Sequence, residues 1–186
     1  MRKIITNCSC FGLFLFLSTS AIAGDPKTPR LSVSLGPGSY IGMGMSRILS
    51  NDISYYFNIA IYGEGPKGKD YTDTLSPNNS IPQEDKKLED SWQDMIFNVG
   101  ATYGLSDGYF VKTGMGYVSR TIYMNRLDEL YILSNDGKYS IEYDSDSFVN
   151  FNLGIGKNYN DWMLTLGYES YESIIMFELG YTLSPF

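Results

Sequence analysis

From residue 31 to the C-terminus the chain repeatedly alternates apolar residues with small or polar ones, the period of strands whose two faces meet different surroundings. Eight segments carry the pattern: 31–36, 40–48, 53–62, 92–104, 109–123, 148–157, 162–169 and 174–183. One face holds Leu31, Val33, Leu35, Ile41, Met43, Phe57, Ile59, Phe97, Val99, Val111, Met115, Val149, Phe151, Leu153, Leu164, Leu166, Phe177 and Leu179. The other holds Ser32, Ser34, Gly42, Gly44, Asn58, Asn98, Gly100, Lys112, Gly114, Arg120, Asn150, Asn152, Thr165, Glu169, Glu178 and Gly180. A soluble lipocalin-like barrel would place the apolar face inside. Eight strands enclose a lumen only just wide enough for side chains, so Phe, Trp and Leu from every strand would overfill it, whereas Gly, Ser and Asn fit. The predicted fold is therefore all-β, an eight-stranded antiparallel up-and-down transmembrane β-barrel with its apolar face toward lipid.

Turn lengths preserve this assignment, since a slip of one residue would invert a strand. Short turns predict Leu35 beside Ile41, Met45 beside Tyr55, Tyr103 beside Val111, Ile155 beside Leu164 and Tyr168 beside Ile175. The connections alternate between short ones (49–51, 106–108, 158–161) and a side that includes two long ones (63–91, 124–147), as for a barrel with short periplasmic turns and longer external loops. Tyr55, Tyr103, Tyr109, Tyr159 and Trp162 on the short-turn side, and Tyr40, Tyr62, Trp92 and Tyr123 on the other, are expected as interfacial girdles.

The N-terminus differs in kind. Met1, Arg2 and Lys3 form a basic region, Phe11 to Leu17 an apolar one, and Ala21, Ile22 and Ala23 a cleavage site, so residues 1–23 read as a secretory signal peptide and 24–186 as the barrel domain. Removing 1–23 takes away both cysteines, Cys8 and Cys10, and shifts the formal charge from −7 to −9. The acidic balance excludes nucleic acid as a partner. The chain contains no His, which removes the commonest general base and metal ligand and every imidazole-dependent triad.

With the leader, the eight strands and the terminal segment ending at Phe186, the chain resembles the small OmpA/OmpX-type outer-membrane barrels of Gram-negative bacteria. The resemblance implies residence in the outer membrane among lipid and lipopolysaccharide. It also implies recognition by the outer-membrane insertion machinery through Phe177, Leu179, Tyr181, Leu183 and Phe186, although Phe186 falls out of phase with Leu183 beyond Pro185. Such barrels act as adhesins, serum-resistance factors, structural anchors or lipid-modifying enzymes. The expectation is a monomeric, non-enzymatic barrel that anchors surface loops for adhesion, binding of a host or cell-surface protein, or envelope integrity. The alternative is a narrow channel or a lipid-acting enzyme, which without His would rest on Lys or Glu.

No catalytic, cofactor-binding or metal site is assigned. The Gly-x-Gly pairs lie at period two within strands, where a crowded lumen favours the smallest side chain over a phosphate cradle. Lys112, Arg120, Glu169 and Glu178 are expected as lumen ion pairs. The fifth and sixth strands are expected to continue outside as one bulge-free hairpin closing at Asn135, Asp136 and Gly137, with Ser134 opposite Lys138 and Tyr123 beside Val149. That register sets Arg126 opposite Asp146, and Asp128 opposite Asp144, a repulsive pair that a cation or basic partner could relieve. Tyr131, Ile132, Tyr139 and Ile141 on this arm are the expected recognition surface.

Overall fold

The computed structural model describes residues 29–50, 52–71, 85–130 and 136–183. The leader 1–23, Tyr131, Ile132 and Phe186 lie outside them. Eight long strands follow one another: β1 (Arg30–Gly36), β2 (Tyr40–Ile48), β3 (Ile53–Gly63), β4 (Ser91–Gly104), β5 (Tyr109–Leu127), β6 (Lys138–Tyr159), β7 (Trp162–Glu169) and β8 (Ile174–Thr182). Each pairs antiparallel with the next, and β8 pairs with β1, which closes the wall. Both ends of the described chain lie on one rim, Arg30 facing Thr182, together with the short turns after β2, β4 and β6. No sheet edge is left open around the barrel itself.

The faces are as the alternation predicts. Leu31, Val33, Met43, Met115, Phe151, Leu153, Leu164 and Leu179 point outward, with Phe177 69% exposed. Ser34, Asn58, Asn98, Asn150, Glu169 and Glu178 are buried inside. Phe177, Leu179, Tyr181 and Leu183 share the outer face. The glycines keep the lumen closed: a Cβ on Gly114 would strike the Tyr56 hydroxyl, and one on Gly156 the Phe110 ring. They therefore make room for neighbouring rings and build no phosphate-binding loop.

Leu35–Ile41, Tyr103–Val111 and Tyr168–Ile175 pair as expected. Two registers differ by two residues, which preserves parity. Met45 faces Phe57 instead of Tyr55, because Leu49 and Ser50 both donate to the Ile53 carbonyl (2.8 and 3.1 Å) and lengthen the β2–β3 turn. Ile155 faces Leu166 instead of Leu164, because β6 and β7 run on to Tyr159–Trp162 and close through Asn160 and Asp161 alone, with Asn160 in the left-handed region at φ 51°.

The outer girdle also differs. Tyr40, Tyr62 and Trp92 turn inward: Tyr40 is buried with Ala60, Ile96, Val118, Ile174 and Met176, with Tyr62 against them, and Trp92 stacks on Arg120. Together the first six form an apolar plug beneath the outer rim. On the opposite rim Tyr103, Tyr109, Tyr159 and Trp162 do face outward, joined by Tyr181.

The largest correction concerns the external hairpin. Tyr117, not Tyr123, faces Val149, and the ladder shifts between Ile122 and Tyr123, where Tyr143 is extra. The strands end at Leu127 and Lys138, followed by a bond from the Asp128 amide to the Gly137 carbonyl (2.6 Å). Gly137 is left-handed (φ 69°), as the turn chemistry predicts, but the connection spans 128–137 instead of three residues. A bulge switches the phase of one strand against its partner. Below it the odd residues of β6 face lipid; above it Tyr139 and Ile141 pair with Arg126 and Met124 and are fully buried.

Candidate functional site

The lumen charges do not form one network. Near the short-turn rim Lys112 Nζ lies 2.5 Å from Glu178 Oε2 and 4.1 Å from the Tyr56 ring centroid, and Ser32 Oγ donates to Glu178 Oε1 at 2.5 Å. Both charges are about 5% exposed or less. Glu169 makes no ion pair with a described cation, although Lys112 acts on it electrostatically; it accepts from Asn98 (2.9 Å), Asn150 and Tyr40 (3.4 Å). A cavity of about 80 Å³ opens at the short-turn end, with Arg30, Tyr56, Lys112 and Glu178 in its wall. The apolar plug stands between this cavity and the outside.

Arg120 belongs to the outer mouth. Its Nε and Nη2 donate to Asp94 at 2.9 and 3.1 Å, Nη2 also reaches Glu172 (2.9 Å), and the guanidinium carbon sits 4.3 Å from the Trp92 ring centroid. Tyr171 adds a third donor to Asp94 at 2.8 Å. These bonds tie the β7–β8 loop to the inner face of β4 and β5. Asp94 stands in no motif of the sequence, yet the β4–β5 register that pairs Tyr103 with Val111 places it directly across from Arg120.

Above the mouth, the segment after β3 folds back onto the external hairpin. Lys69 and Asp70 pair in parallel with Tyr139 and Ser140, and Lys86 and Lys87 pair with Leu127 and Arg126. Asn125 is the hub. Its Oδ1 accepts from the Lys67 amide (3.2 Å) and Ser140 Oγ (2.6 Å), and its Nδ2 donates to the Glu89 carbonyl (2.8 Å) and Ser91 Oγ (2.9 Å). Tyr139 packs on Tyr71 and donates to Asp85 at 2.5 Å; burial first, then that bond, holds its hydroxyl protonated well above the usual phenol range. Tyr139 and Ile141 thus fasten the cap from inside and present no surface, which removes them from the expected recognition site. Removing a fully bonded buried amide strands its partners at a cost of about 1 to 3 kcal/mol. Asn125→Ala is therefore expected to loosen residues 64–71 and 85–90 while the barrel stays folded, seen as faster proteolysis there with an unchanged heat-modifiable gel shift.

The acids that the expected register sets opposite one another are apart. Asp144 faces Ile122, Asp146 faces Arg120, and Asp128 lies past the end of β5. Among the described residues no group of three or more acids or thiols is placed to hold a metal ion.

Among the described residues, one edge stays open. β6 runs above the wall because β7 pairs with it only from Asn152–Glu169 down to Tyr159–Trp162, while β5 accompanies it throughout. Ser170 caps the top of the paired region, its amide donating to the Phe151 carbonyl and its hydroxyl accepting from the Phe151 amide, both at 2.8 Å. Phe151 therefore turns both backbone groups away from β5. By antiparallel alternation Val149, Ser147 and Ser145 turn theirs the same way. Asp144 accepts from the Ser145 amide (2.8 Å). Residues 143–149 are all exposed.

A closed eight-stranded antiparallel wall, apolar outside and ion-paired within, gives this chain the fold of the eight-stranded outer-membrane β-barrels. Among solved structures it is similar to the Yersinia pestis outer membrane protein Ail in a phospholipid bilayer nanodisc, with a TM-score of 0.52 and 11% identity over 84% of this chain and 99% of that one. The crystal structure of Ail, the attachment invasion locus protein of Yersinia pestis, gives a TM-score of 0.47 and 10% identity over 83% and 92% of the two chains. The N-terminal β-barrel domain of Pseudomonas aeruginosa OprF gives 0.46 and 8% over 85% and 98%. At these identities the likeness is one of fold. No protein-family model and no curated protein matches the chain.

Proposed function

We propose that the protein is a non-enzymatic outer-membrane anchor whose external sheet binds a partner protein by accepting a strand along the open edge of β6. The observation that carries this reading is the exposed 143–149 edge, held rigid on one side by β5 and on top by the folded-back segment. Unpaired backbone groups on a long strand are a template for β-augmentation. The anchor reading is supported by a plugged lumen and by an outer mouth in which Arg120 is tied to both Asp94 and Glu172. The same plug weighs against a channel.

Proline at Ser147 removes a donor on the open side and spares the ladder to β5. Cells displaying the Ser147→Pro variant should bind a panel of purified serum and extracellular-matrix proteins about tenfold less well than cells displaying the parent, with barrel folding intact by gel shift. Equal binding by a folded Ser147→Pro variant, or parent cells that bind no better than cells lacking the protein, would overturn the proposal.

A further inference from the structure

Lipid-facing cations of the barrel wall occur at one end. Among the described outward positions below the β6 bulge, Arg47 and Lys157 are the basic ones, and both sit at the short-turn rim. Each stands directly across a strand pair from a tyrosine, Arg47 from Tyr55 and Lys157 from Tyr109. The setting of Lys157 is built in detail. Its ammonium lies 4.3 Å from the Tyr109 ring centroid, 5.2 Å from that of Tyr159 and 3.3 Å from the Tyr109 hydroxyl. Next to them Trp162, which pairs with Tyr159, meets Tyr181 edge-on at 4.8 Å. Lys157 makes no ion pair with a described residue; Asp107 on the β4–β5 turn acts on it electrostatically without reaching ion-pair distance.

An ammonium on the lipid face is costly unless it reaches the headgroup layer and finds an anion there. Aromatic rings at the same rim fix that depth. Three ammonium protons and a neighbouring phenol hydroxyl supply charge-assisted donors suited to a phosphodiester. We propose that Lys157, with Tyr109 and Tyr159, binds the phosphodiester headgroup of a glycerophospholipid in the periplasmic leaflet. Arg47 beside Tyr55 repeats the pairing on the β2–β3 side. Among the described residues the outer end of the wall has no counterpart, since Arg120 turns into the mouth and the other cations there (Lys67, Lys69, Lys86, Lys87, Arg126 and Lys138) belong to the external cap.

Native mass spectrometry of the full protein, extracted from membranes in non-ionic detergent, tests the site with phosphatidylglycerol and with diacylglycerol of the same chains. Phosphatidylglycerol should be retained about tenfold more strongly than diacylglycerol, and Lys157→Gln should remove most of that difference. Lys157→Arg and Lys138→Gln should retain it, and inorganic phosphate should not compete. Equal retention of the two lipids, or undiminished phosphatidylglycerol binding by Lys157→Gln folded by gel shift, would overturn the site. Displacement by inorganic phosphate would reduce it to a free-anion site and overturn the lipid assignment.

Discussion

Arginine at Leu153 or Leu179 should cost the barrel about 2 to 4 kcal/mol, because both side chains stand on the outer face well inside the apolar band, where a guanidinium has no partner and must drag water or bend to an interface. The neighbouring inward residue offers the control. Asn152 accepts from Tyr56 within the lumen, and Asn152→Ser keeps a polar group there. Refolding equilibria into lipid vesicles in urea should show Leu153→Arg and Leu179→Arg losing stability while Asn152→Ser changes it by well under 2 kcal/mol. Equal losses for all three variants would mean that the two faces are not solvated as differently as the alternation requires.

The second large effect is expected inside the lumen. Lys112 and Glu178 are both nearly inaccessible and contact each other at 2.5 Å, so removing either charge leaves the other buried without its direct ion-pair partner. Such single losses cost about 3 to 5 kcal/mol, whereas replacing both partners with apolar residues of similar volume is often close to neutral. Lys112→Met and Glu178→Leu should each shift the urea midpoint strongly, and the double variant should recover most of the loss. Additive losses in the double variant would show that the pair is not energetically coupled and that Ser32 and Tyr56 alone hold these groups in place.

The barrel was legible in the sequence because a lumen of eight strands admits so little. Gly42, Gly44, Gly114, Gly116, Asn98 and Asn150 identify the inner phase, and the apolar residues between them leave one membrane-facing alternative. Parity also contained more than the girdle rule drew from it. Tyr40, Tyr62 and Trp92 share the even-numbered phase of Gly42, Ala60 and Asp94, so they had to turn inward, the first two onto the apolar plug and Trp92 onto Arg120. Turn lengths were less accessible: two-residue errors after β2 and β6 preserve every face and leave no trace in the alternation.

The external region was legible in part. The expected continuation of β5 and β6 beyond the wall is present, as is the left-handed Gly137. The bulge at Tyr143 was hidden because one extra residue in a strand changes no residue type around it. Its consequence is that Tyr139 and Ile141, which share the odd phase of the lipid face, cross to the inner side and become the floor of the cap. The folded-back pairing of 69–70 and 86–87 rests on long-range partners, Asn125 foremost, that no local pattern announces. The open edge of β6 emerges only once both corrections are made: the wall on the β7 side is low, and the cap covers the tip of β6 but not 143–149.

An outward-facing binding sheet requires that edge to lie on the cell-surface side of the membrane. Cys8 and Cys10 are the chain's only cysteines, and both precede the expected cleavage site, so single cysteines introduced by Ser145→Cys and Asp107→Cys report position directly. On intact cells a membrane-impermeant thiol reagent should label position 145 strongly and leave position 107 unlabelled until the envelope is permeabilised. Labelling of 107 with protection of 145 would place the β6 edge in the periplasm and contradict an outward-facing binding sheet.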